Sequence, residues 1–349
     1  MSGISESAPA SGAEPQRYSD QRMADDFTVY ILLSETLQFD PAEIVAAFNE
    51  DFPGLAEISV SIGGENGGKH DGEGGRGSLF DTGDVSIAML QHGGARGEER
   101  VTLISGPTRF DADLTAAYAR AHLFRDAKAV VDASASFLSV SVSGTKGAAA
   151  NLASRYRQAR LATCLSAVFA KLPICTAVYF PSGDVIARPE MWVKAAETAA
   201  QDQWPLGEWF SYEINLQADR PDGRPTFSCG LVGMAAFNGH EVALASAPVG
   251  PDVATQYVMG AAYLLLAGGS VFKDSDTIGL DGSGLQLRIR LLPEGVQAQT
   301  DTWILVHPES PLDEAALFGA QTHPPAPPGV DARKRPEKGF MTRLLGGSR

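Results

Sequence analysis

The chain has 349 residues, 44% of them apolar and 20% charged, which is ordinary usage for folded protein and enough length for two modest domains. Its net charge is −14, and a surface of that sign repels phosphate backbones, so nucleic acid is excluded as the main partner. Three cysteines, Cys164, Cys175 and Cys229, stand in apolar stretches without a CxxC pair and read as buried reduced thiols.

Residues 1–26 are rich in Ser, Ala, Pro and acids and are expected to be disordered. They show no basic start followed by an apolar run, so no secretory signal is expected and the assigned compartment is the cytoplasm. Residues 27–33 (FTVYILL) predict a strand. Asp40 and Pro41 then open a helix, Asp as cap and Pro at the first helical position, with Ile44, Ala47 and Phe48 on its apolar stripe. Residues 57–62 alternate as a strand, and 63–78 form a polar, glycine-dense loop. Residues 85–90 and 101–104 predict two antiparallel strands joined by a turn at 93–97. Leu114, Ala117, Tyr118 and Ala121 lie at helical spacing and predict a helix over 111–124.

A second run of elements follows: a strand over 137–142, a long Ala-rich helix over 147–172, a strand over 174–180 and a helix over 189–200. Strands are predicted over 209–217, 226–232 and 241–247, then an apolar helix over 252–266 and closing strands over 285–292 and 302–306. Residues 161–180 are hydrophobic enough to suggest a membrane span, but Lys171 and Pro173 interrupt them, so a buried helix followed by a buried strand is expected.

The organisation expected is α+β: a first module over 27–133 and a second over 134–310, each a mainly antiparallel sheet with helices packed on one face. A Pro-rich linker and basic tail occupy 311–349. An internal duplication is suggested by the shared pattern Val-x-Leu-x-Ser-x-Pro at Val101 and at Val242. Each copy precedes a helix in which Asp stands five places before Tyr (Asp113 with Tyr118, Asp252 with Tyr257). The competing explanation is that any half-buried strand resembles Val-x-Leu.

Few motifs survive inspection. Residues 63–69 spell GxxxxGK, yet His70 stands where Ser or Thr would hold magnesium, and 72–77 spell GxGxxG without an apolar helix behind it. The acidic run Asp274, Ser275, Asp276 lacks the later oxygen ligands of a calcium loop, with Leu285 at its twelfth position. The six histidines show no zinc spacing, and His240, after Asn238 and Gly239, reads as a hairpin-turn residue. No GxSxG elbow is present. No cofactor and no metal are expected. The aromatics Tyr179, Phe180, Trp192, Trp204, Trp209, Phe210 and Tyr212 read as core packing before they read as a ligand groove. Glu208 and Glu213 flank them and are the carboxylates to test, with His240 and Asp276, if a catalytic site exists.

Residues 333–349 hold six basic residues and one acid; removing their +5 from the chain's −14 leaves −19 on residues 1–332. Phe340, Met341, Leu344 and Leu345 fall on one side of a helix there, flanked by Lys338 and Arg343. Such a segment can dock on a partner's groove, or weakly on an anionic membrane; the plain alternative is a basic tail touching its own acidic body.

Ala177-Val178-Tyr179-Phe180, Pro189, Trp192, 205–209 (PLGEW), 237–241 (FNGHE) and 276–279 (DTIG) together resemble a bacterial family, domain of unknown function 4261, over about residues 177–290. The resemblance implies a bacterial cytoplasmic protein and brings no catalytic residues. The function expected is a non-catalytic protein-binding, adaptor or chaperone-like module. The alternative is a hydrolase or transferase with a cleft between the two modules.

Overall fold

The computed structural model describes residues 26–56, 58–60, 80–81, 86–94, 97–144, 151–217, 224–268, 272–279, 284–293 and 300–311. The N-terminal segment, the glycine loop with both phosphate-loop matches, residues 281–283 and the basic tail lie outside the described residues.

Strand β1 (Asp26–Leu33) is buried through Phe27, Val29, Ile31 and Leu33 on one face and Leu32 on the other, as a strand covered on both sides should be. It lies between β6 (Ser136–Ser143) and β7 (Cys175–Phe180), antiparallel to both, with Asp26 opposite Ser143 and Tyr30 opposite Tyr179. Helix α1 (Pro41–Asp51) starts where predicted: the Asp40 carboxylate accepts from the Ala42 N–H at 2.8 Å, and Pro41 takes the first position. Asp40→Ala is expected to cost about 1 kcal/mol, read as a lower urea midpoint at unchanged slope.

The hairpin β4 (Ser86–Gly94) and β5 (Gly97–Gly106), with β2 (Ile58–Val60), β3 (Phe80–Asp81) and β8 (Val185–Ala187), completes the first sheet in the order β2-β4-β5-β6-β1-β7-β8, β3 pairing on β4. Helix α4 (Leu152–Ala170) has Asn151 as its N-cap, and Asn151 and Ser154 cap each other reciprocally; residue 147, where the sequence reading starts the helix, lies outside the described residues. Residues 161–180 divide into the end of that helix and the strand β7. No helix among the described residues is long and apolar enough to cross a membrane.

The predicted helix over 111–124 is a correction. The chain forms α2 (Thr115–Arg120) and, separately, α3 (Ala127–Ala133). The Asp113 carboxylate takes the Thr115 N–H at 3.0 Å, which delays the start. Tight turns at His122 and Phe124, bonded to the carbonyls of Arg120 and Ala121, end it early.

A 3₁₀ turn (Pro181–Gly183), α5 (Pro189–Ala200) and α6 (Leu206–Trp209) lead into the second sheet. Its strands are β9 (Ser211–Gln217), β10 (Thr226–Val232), β11 (Glu241–Ala247), β12 (Thr277–Ile278), β13 (Leu287–Leu292) and β14 (Thr302–Val306), in the order β12-β13-β14-β11-β10-β9. All pairs are antiparallel except β11 with β14. The long α8 (Pro251–Leu266) packs on β10 and β11. Asn238 and Gly239 do not make a two-residue hairpin: a short helix, α7 (Ala235–Asn238), ends there on Gly239 in the left-handed region (φ 83°).

The protein is thus α+β with two mainly antiparallel sheets. Strands β6, β7 and β8 follow residue 133 in sequence yet hydrogen-bond into the first sheet, so the change of sheet comes after Ala187. The strands of the repeated pattern, β5 and β11, bury Val101, Leu103, Val242 and Leu244 alike. Beyond them the paths differ, since β5 pairs antiparallel with β6 and β11 parallel with β14. One core cluster joins Phe27, Val140 and Phe180 of the first sheet to Leu165 of α4, Val258 of α8 and Leu244 of the second sheet. A smaller core under α2 and α3 covers the opposite face of the first sheet through Leu32, Ala177 and Tyr179.

Candidate functional site

Most of the aromatic-rich stretch packs in the core, while Phe210 and Tyr212 also line a cleft beside it. Trp192, Trp209, Phe210 and Phe237 are buried, and both indoles satisfy their N–H groups on α4: Trp192 on the Ser166 hydroxyl at 2.8 Å, Trp209 on that of Thr163 at 2.9 Å. Trp209 stacks on Phe237 with ring centres 5.5 Å apart.

Beside this core, between the first sheet's flank and the start of the second, lies a cleft with about 620 Å³ of space, partly open to solvent. The end of α2, residues 122–124, β8, Met191 of α5, α6 and the start of β9 form its walls. Local backbone chemistry sets this geometry. Gly183 presses against the Trp209 carbonyl where no side chain fits, and Gly233 meets Gly183 from the other side at φ 114°. The chain then turns through Asp184, left-handed at φ 50°, a conformation that Asp tolerates better than most residues. That turn aims the Asp184 carboxylate at the cleft wall.

Arg120, the last residue of α2, bridges Asp184 at 2.5 Å and Glu213 at 3.2 Å. The Tyr179 hydroxyl donates to the other Asp184 oxygen at 3.2 Å. Burial raises the Asp184 pKa against the pull of Arg120 and of these hydrogen bonds. Glu208 on α6 also lines the cleft. Burial raises its pKa too, a hydrogen bond to its own backbone is the opposing contribution, and it makes no ion pair among the described residues. Ser211, only 6% exposed, belongs to the same wall; its hydroxyl and the Arg120 Nε are enclosed by protein and have no hydrogen-bond partner among the described residues. Arg188 is taken up by Asp126 at 2.6 Å and by the face of Phe124. Leu123, 83% exposed, stands at the rim.

Of the four sequence candidates the structure brings together two. Glu208 is in the wall, and Glu213, itself exposed, is tied to the wall by Arg120. His240 is not in the cleft; its Nδ1 lies 3.1 Å from the Asn238 carbonyl and its ring stacks on Trp303. Asp276 sits in an exposed turn, accepting the Lys273 N–H at 3.1 Å. In that turn Asp274 is the structural carboxylate, holding Arg290 Nε at 3.0 Å and the Leu291 N–H at 2.8 Å. Among the described residues no three His, Cys, Asp or Glu side chains gather to hold a metal. Cys164 and Cys229 are buried and Cys175 half-buried, and desolvation pushes their thiols to about 12, 11 and 12 respectively, so none is a ready nucleophile at neutral pH. Lys338, Phe340, Met341, Arg343, Leu344 and Leu345 lie outside the described residues.

Sequence reasoning missed Arg120, Asp184 and Ser211. They stand far apart along the chain, and no spacing rule connects them. The one local sign was the turn-forming Pro181-Ser182-Gly183-Asp184. Chemically, the cleft offers an apolar lining and, in Glu208, one desolvated carboxyl outside any ion pair among the described residues. Among the described residues the Ser211 hydroxyl touches no acceptor, and both Asp184 oxygens are occupied by Arg120 and Tyr179. Comparison with protein-family models, curated proteins and solved structures finds no match to the chain.

Proposed function

We propose that this is a non-catalytic binding protein of the bacterial cytoplasm, an adaptor-like module whose cleft takes a partner's segment carrying a basic side chain beside apolar ones. The observation that supports this is Glu208: a carboxyl in the wall of a cleft lined by Phe124, Ile186 and Met191, desolvated there and without an ion-pair partner among the described residues. An ammonium or guanidinium group would relieve the carboxyl's desolvation, and an apolar neighbour would fill the lining of Phe124, Ile186 and Met191. The resemblance of residues 177–290 to domain of unknown function 4261 suggests the bacterial source and supplies no chemistry.

The test is a calorimetric titration of the full chain with a short synthetic peptide alternating lysine with leucine and phenylalanine. Saturable binding that falls about tenfold in Glu208→Gln, the loss of one charge-assisted contact, is the expected result. Equal affinity for both proteins overturns the proposal. Chemical conversion of the probe would also overturn it, in favour of the hydrolase or transferase reading.

A further inference from the structure

We infer that the protein carries a second site, a cavity beside β1 that takes a small quaternary ammonium compound of about choline's size. The cavity shares no lining residue with the cleft, and the inference does not rest on the function proposed for the cleft.

The strand period sets up the site. Asp26, Thr28 and Tyr30 alternate with the buried Phe27, Val29 and Ile31, so all three come to the opposite face of β1. There they line a cavity bordering the smaller core, together with Phe110 from the connection after β5, Tyr179 of β7 and the start of the 3₁₀ turn. It holds about 440 Å³ of space, within the roughly 300–1,000 Å³ of ordinary small-molecule sites.

Three aromatic rings meet at this cavity. Tyr30 and Phe110 have centres 4.7 Å apart and planes inclined by 49°; Phe110 and Tyr179 are 5.8 Å apart and inclined by 59°; Tyr30 and Tyr179 are 6.3 Å apart. Rings so inclined do not form one flat wall, and a group among them meets aromatic surface from more than one side. The hydroxyls of the lining are engaged by the protein: Thr28 with Ser141 at 2.9 Å, Tyr179 with Asp184 at 3.2 Å. A sugar, whose own hydroxyls need partners, gains little from such a lining. A methylated ammonium has no N–H to satisfy, and aromatic rings attract it.

Charge favours the same ligand. Asp26 is the charged residue of the lining, and Asp111 and Asp113 stand on either side of Ala112, which also lines the cavity, against the single base Arg109. These carboxylates oppose a ligand that carries its own anion beside the quaternary nitrogen, so choline is preferred to glycine betaine.

The experiment is a ligand-observed NMR titration of the full chain with choline, with dimethylbutanol (its uncharged carbon isostere) and with glycine betaine. Saturable choline binding, about tenfold tighter than either comparator, is the expected result. It should weaken about fivefold in Phe110→Leu, through loss of one ring, and about threefold in Asp26→Asn, an exposed position where the amide leaves the fold intact. Equal binding of dimethylbutanol would reduce the cavity to an apolar hollow and overturn the inference, as would betaine binding as tightly as choline or no saturable choline binding at all. Choline binding that is lost in Glu208→Gln yet kept in both cavity variants would put the cation in the cleft and sink the second site. The peptide titration of the cleft is a separate measurement, so either site can fail without the other.

Discussion

Gly183→Ala is expected to be among the most damaging single substitutions in the chain, lowering stability by about 4 kcal/mol. A Cβ built at Gly183 would lie 1.9 Å from the Trp209 carbonyl oxygen and 2.7 Å from its carbon. Both are backbone atoms, so no rotamer change relieves the clash. Either the 3₁₀ turn lifts off α6 or α6 shifts, and a shift of α6 pulls Trp209 from its bond to Thr163 and from the stack on Phe237. The same movement displaces Asp184 and Glu208, which lie on either side of the contact, so cleft and fold should fail together. Denaturant midpoints measure the loss, and Gly207→Ala is the control. Gly207 is also on α6, but an added Cβ there meets nothing within 4 Å. Equal stability of Gly183→Ala and wild type would show that the close approach at Gly183 is not a determinant of the fold.

That contact illustrates which parts of the structure were legible in the sequence. Strand β1 was, because Phe27, Val29, Ile31 and Leu33 are apolar on the strand period and all four are buried. The start of α1 was, because Asp40 and Pro41 act within their own turn. What escaped is what depends on distant partners. The first sheet takes in β6, β7 and β8 through pairings such as Thr28 with Ser141, whose hydroxyls meet at 2.9 Å across 113 residues of chain. Local patterns carry no information on that closure, which extends the first sheet to β8. The cleft escaped for the same reason: Arg120 reaches Asp184 64 residues on and Glu213 93 residues on. Glu208 was found only as a carboxylate beside aromatics. His240 and Asp276, chosen by neighbourhood in sequence, turned out to serve their own turns.

The second large effect concerns pH. Stability should fall by about 3 kcal/mol as pH rises from 4.5 to 7, the opposite of ordinary acid denaturation, and Glu241 is the residue responsible. On β11, its carboxylate accepts from the N–H groups of Gly233 at 2.9 Å and Met234 at 3.0 Å, fixing the connection that brings Gly233 against Gly183. Desolvation is the largest influence and outweighs these bonds and the field of Arg120, so the pKa is pushed up to about 7 from 4.5. Between those two values the folded chain holds a proton that the unfolded chain has released. Stability therefore declines across the window and levels off above it; 2.5 units at 1.36 kcal/mol each give the expected size. Asp184 and Glu208, also raised by burial, add to the slope with the same sign. Glu241→Gln isolates the residue, because the amide keeps the shape and cannot ionise. Urea melts at pH 5, 6 and 7 should show most of the decline in the wild type and a much flatter profile in the variant, which starts from lower stability because its amide nitrogen faces a backbone N–H. A variant as steep as the wild type would remove Glu241 from the account and return the slope to the cleft carboxyls.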